Sequence, residues 1–291
     1  MTLRRIPLAV LPFALIGGWL IGGWIGCGGS GEHAHPGDLP LAQVEPATAG
    51  SIAGKVVFEG AAPVMPAIDM SANPSCKREH RTPQRAEQVI VNPNGTLRNT
   101  FVWITEGLPK ARWNPPPSPA RIDQNGCVYR PHVLGVMTGQ EIEIDNSDPV
   151  NHNVHAESSI NPAWNESQPP RAEKKFKRFD LQEVWFPVTC SVHPWMRSYL
   201  AVVAHPFFSV TGEDGAFALN GLPPGKYVVE AVHEKYGRKR TQVTIGARES
   251  KTVDFSFAGT SVQSRLSSFY IPVELIRCME APGLVGQDTS T

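Results

Sequence analysis

The sequence predicts an all-β protein, and three observations lead there. Beyond residue 50, β-branched and aromatic runs recur between Gly, Pro, Asn and Asp, the pattern of short strands punctuated by turns. The chain holds 27 Pro and 26 Gly, a composition that suits turn-linked strands better than a helical bundle. No stretch of about 12 residues after position 50 sustains a 3.6-residue apolar period between helix caps.

The first element, residues 1–27, sets the compartment. Arg4 and Arg5 precede residues 6–26, which carry no charge. Such a stretch is a signal h-region or an uncleaved membrane anchor. It ends in WIGC, residues 24–27, before a flexible GGSG. That ending resembles a lipoprotein signal, which implies lipidation of Cys27; in a plain anchor helix Cys27 has no role. Either way the rest of the chain is expected outside the cytoplasm, periplasmic or at the cell surface, and held to a membrane. Residues 28–50, rich in Gly, Pro and Ala, read as a flexible linker, with His33 and His35 as solvated linker histidines. Lys+Arg and Asp+Glu each number 27, with no long basic run, which argues against nucleic acid as a partner.

Residues 51–206 form the first unit by chain order. Strands are expected in SIAGKVVFEG (51–60), EQVIVNP (87–93), NTFVWITEG (99–107), HVLGVMTGQEIEIDNSD (132–148), EVWFPVT (183–189) and YLAVVAH (199–205). The charged segment 170–179 reads as an exposed connection. A second unit, 207–258, alternates strand residues with DG and NGLPPG turns, as a small antiparallel β module does. Its phrase DGAFALNGLPPGKYVVEA resembles carboxypeptidase regulatory-like domains, which are transthyretin-like sandwiches, and the early AGKVVFEG looks like the first strand of one. About 50 residues is small for a free-standing sandwich, so the two units are expected to share a sheet or a tight interface. Residues 259–291 are read as a tail.

The chemistry concentrates in CSVHPWM, residues 190–196. Strand alternation along EVWFPVTC puts Val184, Phe186, Val188 and Cys190 on one face, the buried one. A lone buried Cys is usually inert core. Here, Cys-x-x-His-x-x-Met lets one turn bring a thiol, an imidazole and a thioether to a point, a soft set that suits copper better than Mg or Ca. A fourth donor is available upstream in NSDPVNHNVHA, where His152 and His155 follow an alternating strand. A His₂Cys plane with an axial Met is the arrangement of blue-copper electron-transfer sites.

HNVH followed by C-x-x-H-P-x-M resembles the cupredoxins, in particular their amicyanin branch, over roughly residues 130–205. The resemblance implies a Greek-key β-sandwich holding one type 1 copper through His152, Cys190, His193 and Met196. It also implies that Asn153 hydrogen-bonds between the ligand loops and that His155 is not a ligand. VWFPV stands where the family usually has Gly-x-Tyr before the cysteine strand, and residues 51–130 exceed a minimal cupredoxin. GCVYRPHVLGV, these motifs and HPFFSVTGEDGAF in series resemble exported bacterial proteins described as carboxypeptidase regulatory-like or methylamine-utilisation-like.

The expected function is single-electron transfer between redox protein partners. Pro194 and Trp195 are expected to flank a solvent-edge His193 as a docking patch. Copper buffering, or glycan or protein binding by the β module, are the alternatives. In an exported chain Cys76 and Cys127 are expected to form a disulfide, leaving Cys278 in the tail. His80 and His132 show no metal spacing and are read as exposed or hydrogen-bonded. With no Ser-His-Asp order, paired carboxylates or phosphate loop, the chain is not expected to be an enzyme on its own.

Mass spectrometry of the native protein tests the anchor: a lipoprotein has an acylated Cys27 at its mature N-terminus, and Cys27→Ser blocks that processing. An intact segment from Met1 to Gly26 establishes the anchor helix instead.

Overall fold

The structure is a computed structural model and describes residues 39–259; Cys27, Cys278, His33, His35 and most of the expected tail lie outside them. Strand follows strand: β1 Gly50–Glu59, β2 Phe101–Glu106, β3 Ala120–Gln124, β4 Tyr129–Arg130, β5 Val133–Met137 and β6 Ile142–Asn146. Then come β7 His152–Ala156, β8 Trp164–Gln168, β9 Lys175–Lys177, β10 Glu183–Thr189, β11 Arg197–Val203 and β12 Phe208–Val210. The chain continues through β13 Ala216–Leu222, β14 Gly225–His233, β15 Gly237–Ile245, β16 Ser250–Thr252 and β17 Phe255–Ala258. Among the described residues the only helix is α1, Pro74–Arg78, with Asn73 as its N-cap.

The strands form four sheets, and period-2 alternation sorts their side chains into three cores. In the outermost sheet β1 pairs with β13, β16 and β17; the next has the order β12-β2-β14-β15. Between these two lie Ile52, Val56, Phe58, Val102, Ile104, Val229, Ala231 and Phe257. The third sheet runs β5-β11-β10-β7-β8 and the fourth β4-β3-β6-β9. Ile122, Tyr129, Val136, Ile144, Val154, Val188 and Leu200 pack between them. The second and third sheets meet back to back over Phe101, Trp103, Val133, Ala201, Val203 and Val232. Strand β2 shows the sorting residue by residue, with Val102 and Ile104 in one core and Phe101 and Trp103 in the next.

Hydrogen-bonded sheets do not divide at residue 206/207, where chain order drew the boundary. Strand β1 pairs with β13, β16 and β17, and strand β2 with β12 and β14, although both lie before residue 107. The C-terminal module is too small to close its own core, so N-terminal strands complete it, and residues 120–203 supply both sheets of the second sandwich. Polar ties cross the junction between the two sandwiches: Arg238 donates to the Val184 carbonyl at 3.1 Å, and His132 meets Glu234 at 2.6 Å.

Three local expectations are corrected. EQVIVNP forms no strand and contributes only the bridge Val91↔Leu97, since this segment runs into the turn at Gly95. The charged segment 170–179 contains β9, which pairs with β6 at the sheet edge. Val184 does not share a face with Phe186, Val188 and Cys190. Trp185 has φ +81° and the register shifts there, so a bulge sends Val184 to the inter-sandwich core and keeps the other three with the second sandwich.

At Gly135 on β5 the two sandwiches approach closely. A Cβ at this position would lie 2.7 Å from ring carbons of both Phe101 and Phe208. Gly135→Ala is expected to lower stability by about 1–3 kcal/mol through overpacking, and Gly135→Val by more. Denaturant unfolding checks this, and an unchanged midpoint for both variants contradicts the close approach.

Candidate metal centre

The four sequence-named donors come from two places at one end of the third sheet. Strands β7 and β10 are antiparallel neighbours, with Thr189 opposite His155 and Val188 opposite Ala156. This register brings the first residue of β7, His152, to the same end as Cys190, which follows β10. The chain then turns through His193, whose carbonyl accepts from the Met196 N–H at 2.9 Å, and enters β11. Two residues stitch the ends together. The Tyr129 hydroxyl, fully buried, lies 2.6 Å from the Asn153 carbonyl and 2.9 Å from that of Thr189. Asn153 Oδ1 accepts from the Ser191 N–H at 2.5 Å, and its Nδ2 donates to Asn165.

The donor atoms converge. Nδ1 of His152 lies 2.9 Å from Nδ1 of His193, and Cys190 Sγ lies 3.8 Å from the latter. One ligand atom from each of the three residues falls within 4.8 Å of the others. Exposure is 0% for His152, 5% for Cys190, 1% for His193 and 1% for Met196, which shares a core with Cys190.

The far side of each imidazole is occupied, and that aims the near side. His152 Nε2 sits 2.7 Å from Asp148 Oδ2. The Asp148 carboxylate also accepts from the N–H groups of Gly126 and Cys127, each at 2.7 Å. Burial alone would push the Asp148 carboxyl up, but bonds from His152, Cys127 and Gly126 outweigh it and hold it below its ordinary value. Burial would likewise lower His152; Asp148 and the Cys190 thiolate win and raise it. For Cys190, burial opposes ionisation, yet the two imidazoles and nearby backbone N–H groups bring the thiol down to about 5. A carboxylate behind a ligating imidazole fixes its tautomer and raises its basicity. Two imidazole nitrogens, a thiolate and a thioether form a set that fits a soft, late first-row metal ion.

His193 departs from expectation. It is not at a solvent edge, because the segment between β1 and β2 folds over it. Asn73 Nδ2 lies 2.6 Å and Cys76 Sγ 3.4 Å from His193 Nε2. Cys76, on α1, is bonded to Cys127 at 2.06 Å, and both are fully buried. The disulfide thus ties the cover to the turn whose amide groups hold Asp148. His80 adds a second tie, its Nε2 2.6 Å from the Gly126 carbonyl.

Pro194 is exposed; Trp195 is half-buried, its ring centroid 5.0 Å from that of His193 and its N–H donating to the Cys127 carbonyl at 3.0 Å. His155 lies outside the donor cluster, and His132 bridges Glu234 at 2.6 Å and Glu87 at 3.5 Å. Sequence reasoning missed Asp148, Tyr129 and Asn73. Asp148 precedes His152 by four residues in a turn-rich stretch, which is the one local signal available. Tyr129 and Asn73 are brought in by the fold alone.

No protein-family model matches the chain, and no curated protein does. Among solved structures it is similar in part to a copper-containing nitrite reductase (NirK) from Thermus scotoductus SA-01, at 20% identity and TM-score 0.26. That overlap covers 30% of this chain and 23% of the other, so the chain spans about a quarter of the reductase. A purple cupredoxin from Nitrosopumilus maritimus matches at 20% identity and TM-score 0.25, over 28% of this chain and 98% of its own. An oxidised amicyanin carrying a proline-to-glycine substitution matches at 19% identity and TM-score 0.27, over 30% of this chain and 83% of its own. These overlaps are partial, and the chemistry of the centre follows from its own donor atoms.

The depressed Cys190 value is measurable in metal-free protein. The ultraviolet thiolate difference between wild type and Cys190→Ser is expected to titrate near pH 5, well below the ordinary 9.0. A folded-state value below the unfolded one means this group's contribution to stability is complete above pH 9.0 and is lost as pH falls through about 5. His152 acts in the opposite sense. Its contribution is present below 6.5 and is lost as pH rises through its raised folded value. A thiolate difference that emerges only around pH 9.0 contradicts the convergence of imidazoles on the sulfur.

Proposed function

We propose that this is a membrane-tethered, extracytoplasmic type 1 copper protein that carries single electrons between redox partners and is not itself an enzyme. One observation carries the reading. Two imidazole Nδ1 atoms and a low-pKa thiol converge in a buried pocket, with the Met196 thioether in the same core. Bound copper would supply a one-electron couple. His152, His193 and Cys190 would hold it in both oxidation states, and Met196 would add a weaker thioether donor.

The protein's own residues do the rest. Asp148 keeps the His152 proton on Nε2, so Nδ1 presents a lone pair. Tyr129 and Asn153 fix the spacing of the two ligand segments, so little backbone rearrangement accompanies a change of charge at the centre. Burial of every donor excludes water as an additional ligand. It also disfavours a copper-buffering role, because ready exchange with a cellular copper pool needs an open donor edge. Export is supported by the uncharged segment 6–26 and by the Cys76–Cys127 disulfide, which suits an oxidising compartment. Pro194 and Trp195 are the loop residues through which a partner would approach.

Adding Cu(II) to the purified protein is expected to produce an intense visible charge-transfer band at one copper per chain, with a reversible one-electron potential. Cys190→Ser abolishes the band, because it belongs to the copper–sulfur bond. Met196→Gln keeps the copper and lowers the potential, since an amide oxygen favours Cu(II) more than a thioether does. His152→Ala weakens binding and admits exogenous imidazole. Absence of a strong visible band in the saturated wild type overturns the assignment.

A further inference from the structure

With His193 covered, the centre needs another way to meet its electron donor. Trp195 lies against His193, with 5.0 Å between ring centroids and 45° between ring planes, and it also forms part of the wall of a cavity of about 480 Å³. That volume falls in the range of small-molecule sites, and a concave wall suits a small ligand better than a flat protein patch. Loop residues 66–69 and 86–88, from the same segment that covers His193, also line it. Ile68, Val128 and Pro194 add apolar surface to the lining.

The charge of the cavity is one-sided. The carboxylates of Asp69, Glu87 and Glu234 line it, against the single guanidinium of Arg197. His132, also in the lining, lies between Glu234 and Glu87. A planar aromatic cation would stack on Trp195 and meet these carboxylates; an anion would be repelled. The indole cannot swing away freely, because its N–H is held by the Cys127 carbonyl beside the disulfide.

We propose that this cavity binds a small aromatic cation that serves as a one-electron donor, and that the electron passes across Trp195 to His193. The inference rests on the copper reading above. The donor loses one electron and gains one unit of positive charge, Cu(II) becomes Cu(I), and no bond or proton is exchanged.

The test uses the copper-loaded full chain under anaerobic conditions, with the methyl viologen radical as the planar monocationic donor and hexacyanoferrate(II) as the anionic one. Stopped-flow reduction by the viologen radical is expected to saturate with donor concentration. Glu87→Gln weakens that saturation and Glu87→Lys lowers the rate at low donor concentration by roughly tenfold, while hexacyanoferrate(II) reduces Glu87→Lys no more slowly than wild type. Trp195→Leu lowers the limiting rate at saturation by more than any accompanying change of potential accounts for, with Trp195→Phe in between. A strictly linear dependence on viologen concentration, an equal response of both donors to Glu87→Lys, or a limiting rate indifferent to Trp195→Leu overturns the proposal. Failure of the copper reading shows itself separately, as a missing visible band before any donor is added.

Discussion

Two imidazole Nδ1 atoms held 2.9 Å apart in a dry pocket repel through their lone pairs unless a proton or a cation lies between them. Much of the surrounding structure sustains that arrangement. Asp148 fixes one ring from behind; Asn73 and the disulfide sulfur close on the other. The thiol nearby is held low enough to be an anion at neutral pH, which adds a negative charge where a cation would sit. A proton between the rings answers the lone pairs alone, whereas a cation answers the lone pairs and the thiolate together. A metal ion of soft preference therefore meets both demands better than a proton shared by the rings.

Rigidity comes from the stack of four sheets. The ligand-bearing sheet is packed on both faces, by the fourth sheet on one side and by the second on the other. Its strands are therefore apolar on alternate residues in both directions, as β11 shows with Leu200 and Val202 facing one core and Ala201 and Val203 the next. A ligand end that hangs from a doubly buried sheet has little freedom to relax. The segment between β1 and β2, which has little regular structure of its own, gains order from the disulfide and from His80, and it turns an open loop edge into an enclosed centre.

How much of this was legible in the sequence depended on the range of the interaction. The all-β class and the Cys-x-x-His-x-x-Met loop were readable because strand alternation and turn spacing are local. The convergence of His152 on that loop could be expected only through the resemblance, since 38 residues separate it from Cys190. The bulge at Trp185 was invisible, because a positive φ at a non-glycine residue leaves no mark in the pattern, and it reversed the face assigned to Val184. The cover over His193 was equally hidden. Cys76 and Cys127 could be paired by counting, but nothing local to them says that the bridge lies against an imidazole far along the chain. The same limit applied to the division of strands between the sandwiches, where β1 looked like a regulatory-domain strand yet chain order kept it with its neighbours.

The most direct measurement is a crystal structure of the copper-loaded protein with anomalous data collected at the copper edge. The account predicts a single strong anomalous peak bounded by Nδ1 of His152, Nδ1 of His193 and Sγ of Cys190, with the Met196 sulfur beside it and the Cys76–Cys127 bridge intact. A peak at another position, or one at the His152–His193 gap with Cys190 turned away, contradicts it.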